Sequence, residues 1–231
     1  MKQKNYTDYY LKKQLCIDKA LIRYRFEAEQ EFFLGSLCLE MGPADGVMTE
    51  LLVNHFKEIH VVDGDKELLN TIPEHENLVK YHSWFEEFEP THKYDTIIME
   101  HILEHISNPM VVLEKVKKWL NIGGVLIAGV PNAKSFHRLA AVKMGMLKTE
   151  YELNDRDISQ GHQRVYDIDM LVNEINSSGF SVIHKGGVFL KFLSNQQIED
   201  NWSKDLIQSY YEIGKDFQQN AADIFVVAKI C

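Results

Sequence analysis

A short apolar segment followed by a loop of small residues constrains the fold of this chain more than any other stretch. Residues 37–41 are apolar apart from Glu40, and the loop Gly42-Pro43-Ala44-Asp45-Gly46 follows them. From Val47 onward the apolar residues take the spacing of one helical face. The two glycines permit unusual backbone angles and leave no side chain in the way of a ligand. This order predicts a strand, a tight loop and a helix, a setting in which a nucleoside cofactor can approach the backbone.

The alternation of strands and helices continues to the end of the chain. Strands are predicted at residues 37–41, 59–63, 78–82, 94–99, 125–130, 180–184 and 222–230. Helices are predicted at residues 47–56, at 66–72, from Asn108-Pro109 to Gly123-Gly124, from Asp167 to Gly179, and over a polar segment at 195–220. This alternation predicts an α/β fold with a mostly parallel sheet and helices on both faces. Ligands bind such sheets beyond the carboxyl ends of the strands.

Two segments fall outside this alternation. Residues 1–35 have helical spacing and precede the sheet, whereas residues 132–165 mix charged residues, histidines and glycines without a regular period. We expect an N-terminal helical segment and a lid or insertion, respectively. The length suits a single domain that spans residues 1–231.

Composition narrows the choice of partner and compartment. The net charge of −9 argues against a large phosphate-binding surface, so nucleic acid is not an expected partner. Because no apolar stretch approaches the roughly 18 residues of a membrane helix and the N-terminus is polar, we expect neither membrane association nor a signal peptide. The three cysteines are far apart and lack metal spacing, which favours a reducing cytoplasm. The oligomeric state stays open.

Polar and aromatic residues follow the second and third predicted strands. Asp63 stands roughly 20 residues beyond the glycine loop, where a carboxylate can accept two hydrogen bonds from ribose hydroxyls. The alternative is that Asp63 caps the helix that begins after Asp65. The run Ser83-Trp84-Phe85 offers rings that can stack on a base and a hydroxyl that can bind its edge. Equally, Trp84 and Phe85 can be core residues beneath a loop.

Two acids and two histidines follow the fourth predicted strand, in Glu100-His101-Ile102-Leu103-Glu104-His105. Carboxylates and ring faces favour a sulfonium or ammonium group. His105 can take a proton from a hydroxyl or an amine, or it can be held in a capping turn. His162, within the 132–165 segment, is a second candidate base. We expect no metal site, because His101 and His105 have no third ligand nearby.

Taken in order, these motifs resemble the class I S-adenosylmethionine-dependent methyltransferases, in the branch that includes ubiquinone-type O-methyltransferases. The resemblance covers roughly residues 35–190. It rests on the runs at residues 39–46, 61–63, 94–105, 120–124 and 130–132 and on the Ser-Gly-Phe at 178–180. Ala44 stands where the family usually has the middle glycine. The resemblance implies a Rossmann-like, doubly wound sheet of seven strands, of which the last is antiparallel.

The resemblance also assigns the cofactor half of the site. S-adenosyl-L-methionine would be the methyl donor and S-adenosyl-L-homocysteine the product. The residues that would hold the methionyl end are Glu40 and the loop residues Met41, Gly42, Ala44 and Gly46, with Glu100 and His101 against the methionine moiety. Those that would hold the nucleoside are Asp63 and Gly64 at the ribose and Ser83, Trp84 and Phe85 around the adenine.

The resemblance does not assign the acceptor. We expect methyl transfer to an oxygen or nitrogen of a small molecule, and the branch alone suggests a sugar or another cell-surface precursor. His105 and His162 are the predicted catalytic residues, and Arg138, Arg156 and Arg164 can either bind an anionic acceptor or be solvated charges. Two alternatives stay open. One is an NAD-dependent oxidoreductase, against which the missing third glycine counts, and the other is a non-catalytic protein that kept the fold.

Overall fold

Seven strands form one mixed sheet in the computed structural model, which describes residues 16–231. The strands are β1 (Leu37–Met41), β2 (Glu58–Asp63), β3 (Leu78–His82), β4 (Tyr94–Glu100), β5 (Leu120–Pro131), β6 (Phe180–Val188) and β7 (Asp223–Ile230). Their order across the sheet is β3-β2-β1-β4-β5-β7-β6. The first five are parallel, and β7 runs antiparallel between β5 and β6. The predicted doubly wound, Rossmann-like sheet with an antiparallel last strand is confirmed.

Helices cover both faces of this sheet. They are α1 (Cys16–Glu29), α2 (Val47–Leu52), α3 (Lys66–Thr71), α4 (Pro109–Trp119), α5 (Phe136–Lys143), α6 (Asp155–Gln160), α7 (Ile168–Ser177), α8 (Asn195–Asn201) and α9 (Lys204–Asp216). Successive side chains of a strand point to opposite faces. Accordingly Leu126 and Ala128 of β5 pack in the cluster that holds Leu113 of α4, whereas Val125 and Ile127 pack with residues of α1. The sheet is therefore buried on both faces, as its continuous apolar strands predicted.

The strand order places a crevice at the carboxyl ends of β1 and β4. The chain leaves β1 toward β2 and β3 on one side and then returns to form β4 on the other side. Connections that diverge in this way leave space beyond the strand ends, which is where ligands bind in open α/β sheets. The loop after Met41 and the turn after Glu100 therefore face each other across the crevice.

Several predicted boundaries are wrong. The fourth helix ends at Trp119 rather than at Gly123-Gly124, because Leu120 is already buried in the sheet, where it pairs with Tyr94. Gly123 instead takes a positive φ of 83° inside the extended stretch, where the register of β5 shifts. The helix predicted over residues 47–56 ends at Leu52.

Two further segments hold more structure than their patterns predicted. The predicted lid at residues 132–165 contains the short helices α5 and α6. The polar segment at 195–220 is two helices, each begun by a serine whose hydroxyl accepts a backbone N–H: Ser194 caps α8 and Ser203 caps α9. Of the predicted N-terminal helical segment, residues 16–35 contain α1 and a short 3₁₀ turn (Gln30–Phe32), while residues 1–15 lie outside the described residues.

Among residues 16–231, no helix combines the length and the apolar character that crossing a membrane requires.

Two isoleucines of β5 give a matched test of the core. Ile127 is fully buried, whereas Ile122 is fully exposed. We expect Ile127→Ala to lower the free energy of unfolding by about 2–5 kcal/mol, because it removes buried methyl groups and leaves a cavity. We expect Ile122→Ala to change it by less than about 0.5 kcal/mol. Urea denaturation of the two variants measures both values, and equal losses would contradict the layer assignment.

Candidate active site

A cavity of about 360 Å³ lies in the crevice at the carboxyl ends of β1 and β4. Its floor is formed by residues 40–45, 47 and 48 together with Glu100 and His101, whereas Gly46 is not part of the lining. Helix α1 covers one side through Asp18, Leu21, Ile22 and Arg25, and the 132–165 segment covers another through residues that include Arg138, Arg156 and His162. The cavity has the size range of small-molecule sites.

The loop after β1 turns tightly because three of its residues take left-handed backbone angles. Gly42 has a φ of 67° and Gly46 a φ of 82°, and Ala44, which is not glycine, has a φ of 49°. A Cβ at Gly42 would lie 2.2 Å from Cδ1 of Ile102, so a larger residue there would have to displace the end of that side chain. The N–H of Gly42 donates to the carbonyl of Val62 at 2.9 Å, which ties the loop to β2.

Glu40 is a buried carboxyl at the floor of the cavity. Its side chain accepts a hydrogen bond from the Thr49 hydroxyl at 2.6 Å, and only 3% of the residue is exposed. Burial raises the pKa of Glu40 to about 8, although the Thr49 hydrogen bond opposes the shift. A cation that enters the cavity would favour the ionised carboxylate, so Glu40 is suited to bind an ammonium or sulfonium group.

The predicted nucleoside residues lie beside the cavity rather than in its lining. Asp63 accepts the N–H of Asp65 at 2.7 Å, and burial raises its pKa to about 6. The N-cap of α3 is Asp65, not Asp63, so the capping alternative for Asp63 is wrong. The ring of Trp84 covers Gly64, where a Cβ would lie 2.1 Å from it. Phe85 is half-buried near Gly42.

Glu100 and His101 belong to a buried charged network centred on Arg25 of α1. The Arg25 guanidinium lies 2.7 Å from Asp223 Oδ2, 3.1 Å from Glu100 Oε2 and 3.1 Å from the Nε2 atom of His101. Although burial opposes it, His101 and Arg25 hold the pKa of Asp223 well below its usual range. Burial raises the pKa of Glu100 to about 7 against the effect of Arg25. The network joins α1 to β4 and β7 at the cavity edge.

The side chain of Glu100 also packs against the neighbouring strand β5. A Cβ at Gly129 would lie 2.0 Å from Oε1 of Glu100, so the carboxyl group lies directly over the glycine of the neighbouring strand. His101 has a positive φ of 56°, a strained angle for a residue with a side chain. Strain of this kind is concentrated at functional sites.

His105 and His162 come together although they are far apart in the sequence. Their rings are perpendicular, with centroids 4.7 Å apart, and both line the cavity. Burial and the mutual proximity lower the pKa of His105 to about 3, and burial lowers that of His162 to about 4. Both imidazoles are therefore neutral at pH 7, and each has a ring nitrogen that can accept a hydrogen bond.

Glu104 completes a group that sequence spacing alone did not reveal. It is 1% exposed, its two carboxyl oxygens have no hydrogen-bond partner among the described residues, and burial raises its pKa to about 8. Glu104, His105 and His162 offer ligand atoms that all lie within 4.8 Å of one another. This group contains His105 but not His101, so it is not the His101–His105 pair that the sequence offered. A tetrahedral zinc ion needs such atoms about 3.4 Å apart, so binding would require the group to contract.

The three arginines of the predicted lid region have different roles. Arg164 donates to the carbonyls of Ile106 and Ser107, which secures the turn after β4. Arg138 is buried and forms an ion pair with Asp157 at 3.0 Å. Only Arg156 combines a place in the cavity lining with a substantially exposed side chain.

Several polar residues of the cavity were not predicted from the sequence, and they include Arg25, Asp223 and Lys191. Arg25 lies on the buried face of α1, one turn after Leu21, and a charge at that spacing was the available signal. Asp223 lies at the start of the last predicted strand, and Lys191 lies in a loop after the sixth. No local sequence pattern indicates that either residue lines the cavity.

Comparison with known proteins identifies the class. The profile of the methyltransferase-domain family matches residues 11–185, so the chain belongs to this family. It is a class I S-adenosylmethionine-dependent methyltransferase, as the motif order predicted, and the predicted cofactor is confirmed with the class. A search of curated protein sequences gave no match.

Solved structures agree with this fold. The CcbJ methyltransferase from Streptomyces caelestis is 14% identical, with 97% of this chain and 96% of that chain covered and a TM-score of 0.65. The N-methyltransferase NodS from Bradyrhizobium japonicum, solved with S-adenosyl-L-homocysteine, is 13% identical over 92% and 86%, with a TM-score of 0.57. A methyltransferase from Archaeoglobus fulgidus is 18% identical over 91% and 94%, with a TM-score of 0.61.

The Arg25 network gives a test with a matched control on the same helix. We expect Arg25→Met to lower the free energy of unfolding by about 3–5 kcal/mol, because Asp223 would keep a buried charge without its partner. Arg23→Met, at an exposed position of α1, is expected to cost less than about 0.5 kcal/mol. Thermal and urea unfolding measure the difference, and a stable Arg25→Met protein would contradict the role of the network.

Proposed function

We propose that this methyltransferase acts on an oxygen or nitrogen atom of a small-molecule acceptor. The observation that carries the proposal is the partial cover of the cavity by α1 on one side and by the 132–165 segment on another. A partly covered cavity of this size suits a cofactor tail and a small acceptor better than a polymer that must pass across an open surface.

The cofactor lies on the β1 side of the cavity in this proposal. The backbone at Gly42–Gly46 and the Glu40 carboxyl bind the methionyl end, and Asp63 binds the ribose hydroxyls. Trp84 and Phe85 lie next to Gly64 and Gly42, which supports an adenine site between the second and third strand ends. NodS, which has the same fold, was solved with S-adenosyl-L-homocysteine, and this supports the same cofactor position.

The reaction is a displacement at the methyl carbon of the sulfonium. The carbon–sulfur bond breaks as the bond from carbon to the acceptor oxygen or nitrogen forms, and the cofactor leaves as a neutral thioether. Because the donor is already activated, the protein mainly supplies alignment. The proton that the acceptor loses passes to His105 or to His162, which are neutral and face the cavity.

Among residues 16–231, none that lines the cavity favours a sugar or cell-surface precursor as acceptor, so that part of the hypothesis stays a prediction from the resemblance. The predicted absence of nucleic-acid and membrane partners and the cytoplasmic location also stay predictions.

Cofactor binding gives the first test of the site. We expect Asp63→Ala to weaken S-adenosyl-L-homocysteine binding by at least about tenfold, or 1.4 kcal/mol, because the ribose loses a charged hydrogen-bond partner. Asp205→Ala, at an exposed position of α9, should leave the dissociation constant unchanged. Isothermal titration calorimetry measures both, with NAD as the competing cofactor class. Unchanged affinity in Asp63→Ala would contradict the assignment, and binding of NAD alone would support the oxidoreductase alternative.

The two histidines give a test of the chemical step. We expect His105→Gln to lower kcat by about 100-fold with little change in cofactor affinity, since a positioned base contributes on this scale. His92→Gln, at an exposed position, is the control. Turnover is followed as S-adenosyl-L-homocysteine formed from candidate metabolite pools. An unchanged kcat in both His105→Gln and His162→Gln would exclude these residues as the base, and cofactor binding without turnover on any pool would favour the non-catalytic alternative.

A further inference from the structure

Lys191 is a cavity residue that the reaction described above does not use. It follows β6, and its backbone carbonyl accepts the N–H of His137 at 3.0 Å, which fixes the loop against α5. Lys191 lines the cavity and is half-buried there. Among residues 16–231 its ammonium group has neither a hydrogen bond nor an ion pair within 4.0 Å.

The acids around Lys191 are already engaged with other groups. Asp223 lies 2.7 Å from Arg25. Asp157 lies 3.0 Å from Arg138. Asp18 lies 3.6 Å from Arg156 and also accepts a hydrogen bond from Asn195.

Lys191 is therefore a cation without a close counterion, inside a protein whose net charge is −9. Burial and the positive charge of Arg156 lower the pKa of Lys191 to about 8, against the effect of Asp223, Asp18 and Asp157. A half-buried ammonium group in a cavity, without a close counterion, is a candidate for binding an anionic ligand. An anion between Lys191 and Arg156 would remove the repulsion between the two cations.

Asn195 points independently to a ligand on the same side of the cavity. The residue is 4% exposed and lines the cavity, and its Oδ1 atom is buried without a hydrogen-bond partner in the described part of the chain. Its Nδ2 atom donates to Asp18, which fixes the orientation of the amide. The free Oδ1 atom can accept only from a donor such as a hydroxyl or an amine.

We propose that the acceptor is an anion whose carboxylate or phosphate group binds Lys191 and Arg156, and whose hydroxyl or amine donates to Asn195. This inference rests on the proposed function, and it adds the chemical class of the acceptor. The acidic group anchors the molecule at the lid side of the cavity and so orients the atom that receives the methyl group. Lys191 is a substrate-binding residue in this account.

The test uses inorganic phosphate and acetate as separate probes of the two acidic groups. The protein is saturated with S-adenosyl-L-homocysteine, and the unfolding temperature is measured at rising probe concentration, with chloride keeping the ionic strength constant. A ligand that binds the folded state raises this temperature in a saturable way, which gives a dissociation constant. The variant is Lys191→Met, and the matched control is Lys185→Met, at an exposed position of β6.

We expect at least one probe to bind the wild-type protein and Lys185→Met equally, and Lys191→Met at least tenfold more weakly. The tighter probe identifies a phosphate or a carboxylate as the anchoring group. Equal binding of both probes by Lys191→Met and the wild type would overturn the inference, and so would binding of neither probe by a wild type that binds S-adenosyl-L-homocysteine. Failure of all three proteins to bind S-adenosyl-L-homocysteine would instead contradict the proposed function. An intact cofactor affinity in Lys191→Met shows that the variant is folded.

Discussion

The buried contact of Arg25 with Asp223 and Glu100 determines whether this fold has an enclosed site at all. The sheet alone offers an open crevice at its carboxyl edge. The guanidinium of α1 reaches both β4 and β7, at 3.1 Å from Glu100 and 2.7 Å from Asp223, and so holds the helix across that crevice. A planar group with several fixed donors suits such a junction better than a lysine would. Because α1 forms a wall of the cavity, ligand binding and the packing of this helix are coupled.

The cavity has two electrostatic halves. On the β1 side, burial keeps Glu40 protonated near neutral pH, with a pKa raised to about 8. An arriving sulfonium or ammonium group would favour loss of that proton, so binding of the cationic cofactor should release a proton near pH 7. On the lid side the surplus charge is the ammonium of Lys191. Because one half favours a cation and the other an anion, the cationic methyl donor would bind on the β1 side and an anionic acceptor on the lid side.

Sequence reasoning found the sheet and the cofactor loop because both depend on local patterns. Apolar runs that end at Met41 and Asp63 give strand ends directly, and the positive φ angles at positions 42 and 46 favour the glycines that stand there. The predicted end of α4 at Gly123-Gly124 is wrong because a tertiary contact sets it. Leu120 pairs with Tyr94 in the sheet, so the chain becomes extended before it reaches the glycines. Short helices within the lid carry too few turns to show a period.

The sequence predicted those site residues that a local pattern indicates, but not the contacts between residues from distant segments. Glu40 and Asp63 stand at strand ends and were found, whereas the contact of His105 with His162 joins residues more than 50 positions apart. Arg25 and Asp223 are farther apart still, and their pairing follows from where α1 crosses the sheet. No sequence motif indicates Lys191, because its lack of a counterion follows from the ion pairs that the nearby acids form with Arg25, Arg138 and Arg156. Composition and periodicity carry no information about such long-range pairing.

A crystal structure of the protein with S-adenosyl-L-homocysteine would locate the cofactor site. We expect the amino-acid end of the ligand to lie against Glu40 and the loop at residues 42–46, and the ribose hydroxyls to lie within hydrogen-bond distance of the Asp63 carboxylate. We also expect the sulfur atom to face the part of the cavity lined by His105 and Lys191. A ligand bound elsewhere, or one whose sulfur points away from that cavity, would contradict this assignment of the site.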